Sequence, residues 1–150
     1  MKIGIYGGSF NPIHFGHLGL ARWVTEHDYV DELWLMVTPN NPLKDTHILA
    51  PEHERYAQVC QAVQREGLSR VRVSDIEFSL PRPNFTAQTL RHLQAMYPQD
   101  EFVLVIGEDN WHLFTRWRDY QWILANFSIL IYPRHSQSQL SIINYQLSTI

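Results

Sequence analysis

The sequence predicts an α/β fold, a Rossmann-like, doubly wound parallel sheet with helices on both faces. Three observations carry this expectation. Short apolar runs alternate along the chain with stretches of helical periodicity, the pattern of a parallel sheet. The runs are apolar throughout instead of alternating, as in strands covered on both faces. Each of the clearest runs stops at glycine or at a Pro-Asn cluster. In such folds ligands bind beyond the C-terminal ends of the strands, near the point where strand order reverses.

The elements follow in order. Ile3–Tyr6 reads as a first strand, stopped by Gly7-Gly8. A helix is expected from about Gly16-His17, with Leu20, Ala21 and Val24 inward. Leu33–Val37 is a second strand, stopped by Thr38-Pro39-Asn40-Asn41-Pro42. Pro51 suits a helix N-terminus, and that helix runs to about Glu66, before Gly67. Val71–Val73 is a short strand. The loop Leu80-Pro81-Arg82-Pro83 precedes a helix over Thr86–Tyr97 with Leu90, Leu93 and Tyr97 on one face. Phe102–Ile106 is a strand stopped by Gly107. Helix is expected over Asn110–Phe114 and Tyr120–Ala125, strand over Ser128–Tyr132, and a further strand over Leu140–Ile143.

Composition bounds the function. The 150 residues predict one domain. The apolar fraction of 45% and charged fraction of 18% suit a soluble globular chain. A net charge of −3 argues against a general nucleic-acid partner. No run of apolar residues is long enough to span a membrane, and Ile3–Tyr6 is too short for a signal peptide. The single cysteine, Cys60, rules out an internal disulfide and fits a reducing, cytoplasmic setting. Tyr56, Val59, Cys60 and Val63 share a helical face, which predicts a buried Cys60. A homo-oligomer stays open.

The chemistry concentrates in Gly7-Gly8-Ser9-Phe10-Asn11-Pro12-Ile13-His14-Phe15-Gly16-His17, between the first strand and the first helix. Gly7 and Gly8 permit a tight turn and close approach of a ligand. His14 and His17, three apart, reach the same side of a helix start. That start offers free N–H groups to phosphate, and the imidazoles add donors for charge developing on phosphorus. Zinc ligation by the two histidines is one competitor, but no further ligand cluster accompanies them; the bland competitor is a pair of ordinary polar residues capping a helix. Neither the dinucleotide Gly-x-Gly-x-x-Gly fingerprint nor a Walker A loop is present.

This stretch resembles the signature of the HxGH nucleotidyltransferase superfamily, and the resemblance narrows to the bacterial-type nicotinate mononucleotide adenylyltransferases. Phe85-Thr86-Ala87-Gln88-Thr89-Leu90 resembles their Tyr-Thr-x-x-Thr-Leu segment, which implies that Thr86 helps hold the pyridine carboxylate; taken alone, Thr86 reads first as a helix N-cap. Gly107-Glu108-Asp109 followed by Trp117 resembles their Gly-x-Asp segment, with Glu108 where a small residue is usual. It implies that Gly107 and Asp109 face nucleotide and that Trp117 stacks on the pyridine ring, against core packing as the ordinary reading of a tryptophan. Lys44, after Asn41-Pro42-Leu43, and Arg134, before His135-Ser136, resemble residues near the ATP phosphates. The other histidines, His27, His47, His53, His92 and His112, read as surface residues.

The resemblance implies transfer of the adenylyl group of ATP to nicotinate mononucleotide, giving deamido-NAD and pyrophosphate. It implies His14 and His17 as catalytic residues and Gly7, Gly8, Ser9, Phe10, Lys44, Gly107, Asp109 and Arg134 with them around ATP. Ser9, Thr86, Asp109 and Trp117 then face the mononucleotide. Mg²⁺ is expected to ride on the ATP phosphates, with no dedicated metal residues. A sister transferase acting on pantetheine phosphate or another phosphorylated acceptor, and a nucleotide-binding module without turnover, are the competing readings. The family's closing Ile-Ser-Ser/Ala-Thr-x-Ile-Arg motif is not matched by Leu147-Ser148-Thr149-Ile150, so residues 1–150 are expected to be a single domain that lacks the family's C-terminal segment.

Overall fold

The computed structural model describes residues 1–39 and 49–133, and the backbone of 143–145. Strands are β1 (Lys2–Gly8), β2 (Glu32–Val37), β3 (Val71–Ser74), β4 (Glu101–Gly107), β5 (Ser128–Tyr132) and β6 (Ile143–Tyr145). Helices are α1 (Phe15–Glu26), α2 (Glu52–Arg65), α3 (Thr86–Met96), α4 (Glu108–His112) and α5 (Tyr120–Asn126). Two short 3-10 helices, Ile76–Ser79 and Phe114–Arg116, join them.

The sheet runs β3-β2-β1-β4-β5-β6. β1 pairs in parallel with β2, Ile3 opposite Glu32, and with β4, Ile3 opposite Phe102. β3 and β5 extend the parallel sheet on either side. The expected parallel sheet therefore holds for five strands. At one edge it is corrected: β6 pairs antiparallel to β5, Ile131 opposite Ile143. Of the expected strand Leu140–Ile143, residues 140–142 lie outside the described residues. Helix α4 starts two residues before the expected Asn110 and gives way to 3-10 geometry at Phe114.

Strand geometry divides the apolar side chains between two faces. Ile3, Ile5, Phe102, Leu104, Ile106, Ile129 and Ile131 pack with Leu90 and Leu93 of α3 and Ile123 of α5. Tyr6, Val103, Val105 and Leu130 pack on the other face with Leu20, Ala21 and Val24 of α1 and Val59 and Val63 of α2. Each fully covered Leu or Ile contributes roughly 1.5–3 kcal/mol. Gly4 on β1 lets Leu33 pack close: a Cβ there would stand 2.7 Å from Leu33 Cδ1 and force that side chain to shift.

The expected face of α2 is corrected. Its buried residues are Arg55, Val59, Ala62 and Val63, and Cys60 is only half-buried. Arg55 takes an interior position that a hydrophobic pattern assigns to solvent, and this turns the buried stripe away from Cys60.

Candidate active site

A cleft of about 530 Å³ opens at the C-terminal ends of β1, β4 and β2. It lies where the chain reverses its progress across the sheet, between β1 and β4. Of the residues expected to bind ligand, Gly7, Gly8, Ser9, Phe10, His14, His17, Thr86, Gly107 and Trp117 all line it.

The two histidines are held by reciprocal backbone bonds. His14 is the N-cap of α1: its Nδ1 accepts from Gly16 N–H at 3.1 Å, and His17 Nδ1 accepts from His14 N–H at 3.1 Å. The rings stack with centroids 3.6 Å apart. A neutral imidazole that accepts through Nδ1 carries its proton on Nε2. Both Nδ1 atoms are thus engaged at the cap, both residues line the cleft, and Nε2 is the nitrogen left to carry the proton of each neutral ring. Gly16 leaves room beneath them: a Cβ there would stand 2.9 Å from His14 Cε1 and force the ring to shift.

The turn before the helix is strained and braced. Phe10 holds a left-handed backbone, φ 48°, which costs a bulky residue of order 1–3 kcal/mol. Its ring is buried edge-on against His17, centroids 5.0 Å apart, and against Tyr6 at 5.8 Å. Arg55, without solvent-exposed surface, donates from Nη1 to the carbonyls of Ser9 (2.6 Å) and Thr38 (2.9 Å) and from Nε to Ala50 O (2.9 Å). One guanidinium thus ties the loops after β1 and β2 to the entry of α2. Burial lowers the Arg55 pKa, with Glu52 opposing the shift.

The far wall comes from α3 and the turn before it. Thr86 and Thr89 lie one helical turn apart, and both line the cleft. No side chain caps the start of α3. The Thr89 hydroxyl donates to Glu77 Oε2 at 2.7 Å. Glu77 is 8% exposed, and burial raises its pKa, partly offset by Thr89 and by the nearby Thr38 hydroxyl. Among the described residues Oε1 is buried and meets no partner within hydrogen-bond geometry, the Thr38 hydroxyl standing close to the carboxyl group. Trp117 is half-buried, rests on Phe114 (centroids 4.9 Å) and also lines the cleft, so packing and a ligand face coexist.

Other residues fall elsewhere. Asp109 is exposed on α4, and its neighbour Asn110 is the one that lines the cleft. Lys44, His47, Arg134 and His135 lie outside the described residues. His27, His53 and His112 are exposed as expected, and His92 is half-buried. Three of these have partners the sequence did not announce: His27 stacks on Trp23, His53 meets Phe78 edge-on, and His112 lies 3.7 Å from Glu108. Sequence reasoning passed over Tyr6, Thr38, Glu77, Thr89, Asn110 and Tyr132 as cleft residues. Thr38 and Asn110 follow strands, where the fold places ligands, and that position was their available signal. The Tyr6 and Tyr132 hydroxyls meet at 3.0 Å from strands 126 residues apart in sequence, which no local pattern reveals.

Comparison with known proteins agrees with this geometry. The family model described as cytidylyltransferase-like matches residues 5–149. A relative from Bacteroides fragilis named "Probable nicotinate-nucleotide adenylyltransferase" is 50% identical over 89% of this chain, which spans 65% of that relative's length. One from Cytophaga hutchinsonii with the same name is 45% identical over 92% of this chain and 71% of its own. The chain thus spans just under two thirds of the first of these and somewhat more of the second. A solved structure, the Plasmodium falciparum nicotinic acid mononucleotide adenylyltransferase complexed with NaAD, superposes with a TM-score of 0.80 over 92% of this chain and 67% of that one; at 20% identity it speaks to the fold. No helix among the described residues is long and apolar enough to cross a membrane.

Proposed function

The chain belongs to the cytidylyltransferase-like family, and on that premise we propose that it transfers the adenylyl group of ATP to nicotinate mononucleotide, giving deamido-NAD and pyrophosphate in the cytoplasm. The observation that carries the reading is the His14–His17 cap. It holds two imidazoles at the cleft beside the start of α1 with their Nδ1 atoms engaged in backbone bonds, which supports Nε2–H as the donor of each. Relatives named for this activity, 45–50% identical over about nine tenths of the chain, support it.

The mononucleotide phosphate oxygen attacks the α-phosphorus of ATP in line. A new P–O bond forms as the bond to the β-phosphate breaks, and pyrophosphate departs. A phosphate monoester is already anionic near neutral pH, so no general base is needed. Catalysis is positioning and charge stabilisation. His14 and His17 donate to the triphosphate, and the backbone of Gly7–Phe10 lets it approach. Thr86 and the uncapped start of α3 receive the ring's carboxylate, and Trp117 stacks on the ring. Lys44 and Arg134 are proposed as further phosphate partners, and Gly107 and Asp109 as contacts to nucleotide. The imidazole and hydroxyl donors around the cleft would bind phosphate oxygens, and Mg²⁺ arriving with ATP would supply neutralisation of the triphosphate charge.

The test is pyrophosphate release with ATP and, in turn, nicotinate mononucleotide, nicotinamide mononucleotide and pantetheine phosphate. Turnover with the pyridine acceptors alone is the expected result. Preference for pantetheine phosphate would assign a sister reaction, and nucleotide binding without turnover would assign a binding module.

A further inference from the structure

Glu77 is the buried polar group in the cleft that the reaction described above does not use. Its position is built by four elements. The 3-10 turn Ile76–Ser79 carries it, and Asn84 Nδ2 donates to its backbone carbonyl at 3.2 Å. The Thr89 hydroxyl on α3 holds Oε2, and Thr38 after β2 stands alongside. Among the described residues Oε1 has no hydrogen-bond partner, although the residue is only 8% exposed and lines the cleft. A buried, unpartnered carboxylate oxygen is costly, and the cost falls when the oxygen carries a proton or meets a ligand.

Distances along α3 say which part of a ligand Glu77 would meet. Thr89 is three residues beyond Thr86, so the two side chains share a face one turn apart. Glu77, bonded to Thr89, therefore sits within about one helical turn of Thr86 and of the uncapped start of α3. That start favours an anion. Thr89 donates to Oε2 at 2.7 Å, which leaves Oε1 as the oxygen free to bear a proton. We propose that Glu77 selects the acid over the amide: Oε1, as the O–H of a neutral carboxyl group, donates a hydrogen bond to the 3-carboxylate of the pyridine ring. This rests on the functional reading above.

Two carboxyl groups brought together in a dry site share one proton more readily than they both ionise. An ionised Glu77 would repel the acid and accept from the amide N–H instead. Burial already pushes the Glu77 pKa up in the free protein, and the opposing influences are the Thr89 and Thr38 hydroxyls. Charged groups on the surrounding elements are otherwise engaged. Arg55 on α2 is bonded to carbonyls, Arg82 pairs with Glu52 at 2.6 Å, and Asp75 is exposed. His14 and His17 face the same cleft from the α1 entry.

The experiment is calorimetric titration of the chain with each mononucleotide, in two buffers of different ionisation enthalpy, across pH 6 to 9. Both ligands carry the same phosphate, so its own titration cancels in the comparison. The acid is expected to take up as much as one proton more than the amide. Its affinity relative to the amide is expected to fall by up to about tenfold per pH unit above the Glu77 value in the free protein. Glu77→Gln keeps a donor, so it is expected to bind both ligands and to lose the extra proton. Equal proton counts in the wild-type chain overturn the proposal without recourse to any variant. So does a Glu77→Gln chain that keeps the extra proton, or a wild type that prefers the amide. Failure to bind either mononucleotide would overturn the functional reading, and this proposal with it.

Discussion

Arg55→Met tests whether one buried guanidinium holds the cleft's loops in register. Methionine keeps much of the stem's bulk and removes every donor. The carbonyls of Ser9, Thr38 and Ala50 lose bonds of 2.6, 2.9 and 2.9 Å. Hydrogen bonds to a charged group contribute roughly 1.5–3 kcal/mol each, which bounds the loss from above. Two effects reduce it. Burial lowers the Arg55 pKa, so the charge is held at a cost that methionine removes. Ser9 is exposed and Ala50 half-buried, so their carbonyls regain water. The net expectation is a loss of about 3–5 kcal/mol, the range for breaking a buried charged contact. That corresponds to a fall in Tm of roughly 10 °C for a chain of this size. Urea unfolding followed by tryptophan fluorescence measures it, and ATP titration should show weakened binding in the same variant. Arg55→Lys, a point charge that cannot fork to three carbonyls, should recover only part. A loss under about 1 kcal/mol with unchanged ATP affinity would refute the reasoning and show that the loops hold themselves.

Replacing His14 or His17 with Ala should lower turnover by roughly 10²–10³-fold, the cost of one lost donor to developing charge, with His14→Ala also reducing stability by about 1 kcal/mol through the lost cap; pyrophosphate-release rates and melting curves separate the two effects. Gly16→Ala places a methyl 2.9 Å from the His14 ring and should cost turnover roughly tenfold or more by misplacing it, while helix propensity offsets strain in the melting temperature; normal turnover would show that the ring yields. Trp117→Ala should weaken pyridine mononucleotide binding by roughly 1–3 kcal/mol and leave ATP binding alone, read by titration of each ligand; equal losses for both would make it a core residue.

What the sequence revealed follows the range of each interaction. The turn from Gly7 to His17 is local: cap, donors and helix start fall within eleven residues, so spacing alone exposed it. The five parallel strands were equally visible, because burial on both faces leaves continuous apolar runs. Arg55 was invisible for the opposite reason. Its partners at Ser9 and Thr38 lie 46 and 17 residues away, and hydropathy ranks a guanidinium as solvent-facing. That same blindness misplaced Cys60. Glu77 sits on a turn with no apolar period, and its value to the cleft appears only when Thr89 is brought to it, 12 residues on. The antiparallel β6 was beyond reach as well, since a short apolar stretch does not state its direction.

The strand that bears the histidine turn also sits mid-sheet, and this fixes the order in which the molecule can be completed during synthesis. β1 leaves the ribosome well before either neighbour. Its β2 side can pair once Glu32–Val37 has emerged, but Lys2 and Ile3 find their other partners only at Glu101 and Phe102. Contacts of such long separation close slowly. Until they do, Ile3 and Ile5 keep one face uncovered, a condition that invites wrong pairings and chaperone attention. The cleft, walled by both β1 and β4, therefore cannot exist until the chain through Gly107 has emerged, and ligand cannot assist folding before that point.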